Sequence, residues 1–200
     1  KDFKSVINRS RDVAAGMSKG VQFLMKKNKI DIINGHGKVL PGKKVSVSNG
    51  KKTEEYLAKH IIIATGARSR ELPAIPQNGK NIIGYRKAMT LEKQPKKLVV
   101  VGSGAIGIEF AYFYNTMGTE VVIVEYLDRI LPVEDEEVSK QLERSFKKSG
   151  IKIFTNAEVK KVETKNKSVN VTIKTKSNEE ILSADIVLSA VGIKTNIENI

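Results

Sequence analysis

The sequence predicts an α/β fold in which a parallel sheet, joined by helices, is extended by an antiparallel β-meander. Leu98–Val101 and Val121–Val124 are short, purely apolar runs of the kind that form buried parallel strands. Between them, Ala105–Met117 places its apolar side chains mostly on one helical face. Farther along, Val159–Glu163 and Val169–Lys174 alternate between apolar and polar residues like an antiparallel pair. Together these segments predict a parallel βαβ unit followed by a meander.

Three glycines join the first of these strands to the helix. Gly102, Gly104 and Gly107 have the spacing Gly-x-Gly-x-x-Gly. The first permits a tight turn, the second lets a pyrophosphate approach the backbone, and the third lets the helix pack closely on the strand. The helix N-terminus then offers N–H groups and a partial positive charge to phosphates. This arrangement is typical of a Rossmann-type dinucleotide-binding domain.

An acidic residue ends the second strand. Glu125 lies 18 residues after Gly107, where a carboxylate accepts hydrogen bonds from a ribose diol and repels a 2′-phosphate. The position therefore favours NAD over NADP. The alternative, in which the glycines are only structural turn residues, leaves Glu125 unexplained.

The remaining elements are predicted from apolar periodicity and from turn residues. The apolar stripe of the first helix is interpreted as core packing. In chain order the elements are a helix at Phe3–Asn28, a strand at Ile30–Ile33, a strand at Lys44–Ser48 with a hairpin turn at Asn49–Gly50, a strand at His60–Ala64, a short helix at Tyr85–Lys93, a helix at Asp135–Ser149, and strands at Ile151–Phe154 and Asp185–Ala190.

The composition excludes several classes of function. The sequence has no cysteine, so it offers no disulfide, thiolate metal site or thiol nucleophile. Its two histidines, His36 and His60, are too few for a multi-histidine metal site, and we predict neither a metal nor a catalytic residue. No apolar run reaches the roughly 18 residues that a membrane span needs. The net charge of +13 is spread over the whole length without interleaved aromatic residues, which argues against nucleic acid as a partner.

Four stretches carry a resemblance to a known family: Val100–Phe110, Ile61–Ala67, Glu125–Pro132 and Val187–Asn196. The first resembles the glycine motif of the NAD domain, and the second resembles the Ala-Thr-Gly segment that ends the first part of the flavin domain. The third resembles the NAD-type second strand, and the fourth resembles the segment in which the chain re-enters the flavin domain. The family is that of the flavin-dependent pyridine nucleotide–disulfide oxidoreductases, and the branch is that of the dihydrolipoamide dehydrogenases. In the last stretch, Lys-Thr stands where the family usually has Arg-Pro.

The departures from this family define the expected domains. Its first glycine motif for FAD, its redox-active cysteine pair and its C-terminal dimerisation domain have no counterpart here, and neither histidine matches the catalytic His-Glu pair. The resemblance therefore implies a middle fragment. Residues 1–68 are expected to be a partial FAD-binding domain segment, 69–192 the NAD-binding domain, and 193–200 the start of the return to the FAD domain.

The resemblance also implies which residues contact the cofactors. For two of them a structural role stays open, because Gly37 is also explained as an ordinary turn glycine and Val159 as a core strand residue. The expected NAD contacts are Gly102, Ser103, Gly104, Ala105, Ile106, Gly107, Ile108, Glu109, Glu125, Val159 and Gly192. The expected FAD contacts are Gly37, Thr65, Gly66 and Ala67.

The implied parent enzyme passes electrons from dihydrolipoamide through the cysteine pair and FAD to NAD. It is expected to be a cytoplasmic homodimer that serves 2-oxo acid dehydrogenase complexes or the glycine cleavage system, with no nucleic-acid or membrane partner. The chain by itself is expected to bind NAD(H) without turnover. The alternatives are the NAD domain of a mercuric reductase or flavoprotein transhydrogenase, a non-catalytic dinucleotide-binding module, and an anion or nucleic-acid binder driven by the charge of +13.

Overall fold

A computed structural model describes residues 2–50, 52–166, 168–198 and 200. Within these residues the chain forms four helices and thirteen strands. In order they are α1 (Phe3–Lys27), β1 (His36–Leu40), β2 (Lys44–Ser48), β3 (Thr53–Leu57), β4 (Ala67–Ser69), β5 (Ile82–Ile83), α2 (Tyr85–Ala88), β6 (Lys97–Val101), α3 (Ala105–Met117), β7 (Glu120–Val124), α4 (Glu136–Lys148), β8 (Lys152–Phe154), β9 (Glu158–Lys165), β10 (Ser168–Lys174), β11 (Glu179–Ala184), β12 (Ile186–Ser189) and β13 (Ile193–Thr195).

The largest sheet has five parallel strands in the order β5-β12-β6-β7-β8. The chain runs outward from β6 through β7 to β8, and it returns on the other side of β6 as β12. The strand order thus reverses beside β6, as it does in doubly wound α/β folds. A meander of β9, β10 and β11 is antiparallel. The predicted α/β class, with a parallel sheet and an antiparallel meander, is confirmed.

The chain divides into two compact units, and the first consists of Lys1–Asn8 and Ser69–Lys194. Its core lies on both faces of the parallel sheet. Leu98 and Val100 of β6 share one apolar cluster with α3 and α4, whereas Val99 and Val101 share the other with the meander. All four side chains are buried, which explains why the strand is purely apolar rather than alternating. None of the described helices is both long and apolar enough to cross a membrane.

Tyr114 of α3 is the largest fully buried side chain of this core. Its hydroxyl donates a hydrogen bond of 2.6 Å to the carbonyl oxygen of Ala88, which ties α3 to α2. The centroid of the Phe3 ring lies 5.9 Å from that of Tyr114. The Phe113 ring packs edge-on against Tyr114, with a distance of 5.1 Å between the ring centroids. Burial raises the pKa of the Tyr114 hydroxyl above its ordinary value. The phenol therefore keeps its proton to a higher pH than an exposed tyrosine does.

The second unit consists of Arg9–Arg68 and Thr195–Ile200. It contains most of α1 and the antiparallel sheet β1-β2-β3. The predicted hairpin turn is confirmed, because β2 and β3 pair across it with Ser48 opposite Thr53. In the turn, Lys52 donates its backbone N–H to Asn49 Oδ1 at 3.0 Å. The side chain of Asn49 thus supplies the acceptor that the turn needs.

Three sequence expectations in the first 68 residues are wrong. Neither Ile30–Ile33 nor His60–Ala64 forms a strand, and the side chain of Ile62 is 91% exposed. An apolar run becomes a buried strand only when neighbouring strands cover it, and these two runs pair with none in the described structure. The apolar stripe of α1 is not core either, because Met17 is 70% exposed and Phe3 is the helix's buried residue.

The other predicted elements agree with the structure more closely. The strands expected at Leu98–Val101, Val121–Val124, Ile151–Phe154 and Asp185–Ala190 correspond to β6, β7, β8 and β12. The helices around them start and stop within one or two residues of the prediction, except that α2 is much shorter than expected. Gly118 ends α3 in the left-handed conformation at φ 102°.

Replacing Tyr114 by Phe is expected to lower the free energy of unfolding by about 1–3 kcal/mol, because the buried Ala88 carbonyl loses its donor. The raised pKa of Tyr114 adds stability below the ordinary tyrosine pKa, and that stability is lost as pH rises above about 10. Urea unfolding followed by circular dichroism, at neutral and at alkaline pH, measures both effects.

The matched control for this variant is Tyr112→Phe, on the same helix but 62% exposed, which should leave stability unchanged. Tyr114→Phe should lose less of its stability at alkaline pH than the wild type does. An equally steep alkaline loss in both proteins would contradict the assignment to Tyr114.

Candidate dinucleotide-binding site

The turn after β6 requires a glycine at position 102. Gly102 has φ 94°, a backbone conformation that L side chains rarely adopt. A Cβ at this position would lie 2.5 Å from the carbonyl oxygen of Ala190. The Gly102 N–H also donates to the Val124 carbonyl at 2.9 Å. The turn is therefore held between the ends of β7 and β12, both neighbours of β6.

Gly107 sets how closely α3 packs on this turn. A Cβ at position 107 would lie 2.0 Å from the carbonyl oxygen of Gly102 and 3.3 Å from Val100 Cγ1. No flexible side chain can move to relieve the first of these overlaps, because the atom belongs to the backbone. The helix consequently starts directly above the carboxyl end of β6.

The beginning of α3 is open toward a ligand. Gly104 is the N-cap residue, and a Cβ there would meet nothing within 4 Å. No side chain in the described structure caps this helix, and its first turn contains no acidic residue. The first backbone N–H groups and the positive end of the helix dipole are thus suited to an anion, and the missing Cβ leaves room for a phosphate.

Glu125 is joined directly to the glycine turn. One carboxylate oxygen, Oε2, accepts hydrogen bonds from the Ser103 N–H at 2.8 Å and from the Ser103 hydroxyl at 2.6 Å. The other, Oε1, accepts from the Leu127 N–H at 2.9 Å. Ser103 is 0% and Glu125 7% exposed. The carboxylate therefore lies at the mouth of the turn with its orientation fixed by three donors.

Two further predicted NAD positions belong to segments that meet this turn. The N–H of Ala157, two residues before Val159, donates to the Glu125 carbonyl at 2.9 Å. Val159 itself is half-buried and packs on the meander side of the sheet. Gly192 is exposed at φ 108°, and its carbonyl accepts from the Arg70 N–H at 2.9 Å. The first turns of α3 hold the remaining positions, Ala105, Ile106, Ile108 and the exposed Glu109.

The predicted FAD positions lie in the second unit. Gly66 has φ 73°, and its carbonyl accepts from the Asn196 N–H at 3.0 Å, while the Thr65 hydroxyl donates to the Asn196 carbonyl. Ala67 begins β4. Gly37 pairs with Val47 inside β1, and a Cβ there would meet only Val45 Cγ1 at 3.9 Å. Packing therefore gives no reason for a glycine at position 37.

Sequence reasoning missed two features of the site. The Ser103 hydroxyl donates to Glu125 and lies fully inside the protein, whereas the sequence identifies position 103 only as part of the glycine motif. Arg129, the base nearest to Glu125 in sequence, is held in its own loop. Its Nη2 donates to the Pro132 carbonyl at 3.0 Å, and its Nη1 lies 3.8 Å from Asp128 Oδ1. Residue spacing identifies an acid after the second strand but not the donors that orient it.

The whole chain, residues 1–200, matches the family of pyridine nucleotide-disulphide oxidoreductases. The chain belongs to this family. It is 46% identical to a dihydrolipoyl dehydrogenase of Rhizobium etli, over all of this chain and 45% of the relative. It is 43% identical to a dihydrolipoyl dehydrogenase of Zymomonas mobilis, over all of this chain and 43% of the relative.

Among solved structures, LpdA from Mycobacterium tuberculosis superposes with a TM-score of 0.90 at 27% identity, covering 99% of this chain and 44% of LpdA. The chain thus spans less than half the length of these family members. The resemblance found in the four motifs is confirmed.

Gly107→Ala is expected to destabilise the first unit by about 1–3 kcal/mol, because the new methyl group overlaps the Gly102 carbonyl. Gly20→Ala is the matched control, since it also lies inside a helix but a Cβ there meets nothing within 4 Å. That variant should gain roughly 0.5–1 kcal/mol. Urea unfolding measures both, and a Gly107→Ala protein as stable as the wild type would contradict the close packing.

Proposed function

We propose that this chain is the NAD-binding part of a dihydrolipoamide dehydrogenase. Residues 69–192 are proposed as the NAD-binding domain, 1–68 as a segment of the FAD-binding domain, and 193–200 as the start of the return to it. The intact enzyme would be a cytoplasmic homodimer that oxidises dihydrolipoamide for 2-oxo acid dehydrogenase complexes or for glycine cleavage. The identity to two dihydrolipoyl dehydrogenases supports this assignment.

The observation that carries the NAD proposal is the hydrogen-bonded contact between Glu125 and the glycine turn. It places an acceptor for ribose hydroxyl groups beside an uncapped helix N-terminus. A dinucleotide presents these same two chemistries, a pyrophosphate and a ribose diol, next to each other. The open space at Gly104 fits the pyrophosphate, so the residues present fit the cofactor.

Each part of the chain then has a defined task. The N–H groups that begin α3 bind the pyrophosphate, and Glu125 binds the adenosine ribose. Val159 and Gly192 would lie near the adenine and the nicotinamide, and Gly37 with Thr65–Ala67 would contribute part of the flavin site. NAD, when bound, supplies the hydride acceptor. The chain positions it, while the sulfur chemistry needs cysteines that this sequence does not contain.

The same contact favours NAD over NADP. A 2′-phosphate would stand against the Glu125 carboxylate, and the nearest base in sequence, Arg129, is bonded to the Pro132 carbonyl within its own loop. A charge-assisted hydrogen bond to the ribose contributes about 1.5–3 kcal/mol, and a 2′-phosphate would replace this attraction with repulsion. The expected preference for NAD is on the order of a hundredfold.

Titration of the chain with NADH and NADPH at fixed ionic strength tests this preference. The wild type should bind NADH about a hundredfold more tightly. Glu125→Ala should lose most of the difference through weaker NADH binding, because the ribose acceptor is removed. Fluorescence of the reduced nicotinamide reports both affinities.

Glu179→Ala removes the same charge at an exposed position of the meander and should leave the preference unchanged. Equal affinities for NADH and NADPH in the wild type would show that Glu125 is not the ribose ligand. An undiminished preference in Glu125→Ala would show the same.

Turnover is the second test of the proposed function. The chain should not reduce NAD with dihydrolipoamide, because it offers no thiol to exchange with the substrate. A full-length dihydrolipoyl dehydrogenase, assayed in parallel by NADH absorbance, is the positive control. Sustained NADH production by the chain alone would overturn the assignment of the sulfur chemistry to another part of the enzyme.

A further inference from the structure

The hydrogen bonds of Glu125 limit what its carboxylate can still accept. An ionised carboxylate has about four acceptor positions, two on each oxygen. Ser103 occupies both positions of Oε2, through its N–H at 2.8 Å and its hydroxyl at 2.6 Å. Leu127 occupies one position of Oε1 at 2.9 Å. No other donor of the described residues reaches this carboxylate, so one position, on Oε1, remains for a ligand.

The protein around Glu125 keeps the carboxylate in this orientation. Its backbone is fixed at both ends, because its N–H donates to the Phe154 carbonyl at 2.7 Å and its carbonyl accepts from the Ala157 N–H at 2.9 Å. Ser103 is anchored as well, since its carbonyl accepts from the Leu131 N–H at 3.1 Å. Turning the carboxylate would break a charge-assisted hydrogen bond inside the protein, so the occupied positions are not readily released.

We infer that Ser103 is a positioning residue that restricts Glu125 to one of the two hydroxyl groups of the adenosine ribose. The second hydroxyl then has no partner on this carboxylate. It cannot bind the Ser103 oxygen instead, because Ser103 is fully buried. This inference rests on the proposed function, since it states which part of the dinucleotide the Glu125 carboxylate binds.

Two analogues of NADH show whether Glu125 binds one hydroxyl of the adenosine ribose or both. One analogue lacks the 2′-hydroxyl and the other lacks the 3′-hydroxyl. With the wild-type chain, one analogue should bind roughly tenfold or more weakly than NADH, which is the loss of one charge-assisted hydrogen bond. The other should bind within about threefold of NADH. Equal losses for both analogues, or no loss for either, would overturn the inference.

Ser103→Ala tests the positioning role. Without the hydroxyl, the carboxylate is held by two donors instead of three and can turn toward the ribose. The difference in affinity between the two analogues should then shrink, because the freed position on Oε2 can accept from the second hydroxyl. Ser139→Ala is the matched control, because this serine is equally buried and its hydroxyl donates to the Leu131 carbonyl at 3.0 Å, not to Glu125. In that variant the difference between the analogues should persist.

The outcomes distinguish this inference from the proposed function. If the wild-type chain does not bind NADH at all, the proposed function fails. If it binds NADH but treats the two analogues alike, only the restriction by Ser103 fails. If the two analogues differ in affinity for Ser103→Ala as much as they do for the wild type, Ser103 has no positioning role. Should Ser103→Ala not fold, the wild-type comparison of the two analogues still decides whether Glu125 takes one hydroxyl.

Discussion

The close approach of α3 to the turn after β6 is the constraint on which the candidate site depends. At Gly107 even one methyl group would collide with the Gly102 carbonyl. Because the helix can start so near the strand, its N-terminus lies at the carboxyl edge of the sheet rather than beyond it. That same edge receives the end of β7 with Glu125 and the end of β12 with Gly192. The packing of two backbones therefore decides where the ends of three strands meet.

Glu125 links the glycine turn to the neighbouring segments of the sheet by hydrogen bonds. Its carboxylate bonds Ser103 in the turn and Leu127 in the following loop, while its backbone pairs with both neighbouring segments. A buried carboxylate is costly unless donors surround it, and here all three donors are at 2.6–2.9 Å. The group is thus part of the structure of the site as well as a proposed ligand position. This double role is why its accessible acceptor capacity is smaller than its chemistry alone suggests.

The helices and strands of the first unit could be predicted from the sequence because their patterns are strong and local. Four short, mainly apolar runs form neighbouring strands of one sheet, and Gly104, Gly118 and Asp135 mark where helices begin and end. The second unit could not be read in this way. Periodicity shows that α1 has an apolar face and that Ile61–Ile63 is a strand-like run, but it does not show what covers them. In the described structure neither is covered, so Met17 and Ile62 lie exposed.

Within the site, the sequence supplied the residues but not their mutual bonds. Spacing placed the acid at the end of the second strand, where it lies. The hydrogen bonds that fix its carboxylate depend on the rotamers of Glu125 and Ser103, and no spacing encodes those.

The net charge of +13 acts on a dinucleotide in a different way from the site itself. A positive field attracts any anion over roughly a Debye length of 8–10 Å, and it attracts the more highly charged anion more strongly. For the two pyridine nucleotides, this general attraction favours NADP, because it carries the extra phosphate. The proposed discrimination in favour of NAD must therefore come from short-range groups that oppose the overall field. A carboxylate fixed at the proposed ribose site meets that requirement, because repulsion at contact distance exceeds attraction from dispersed, solvated lysines.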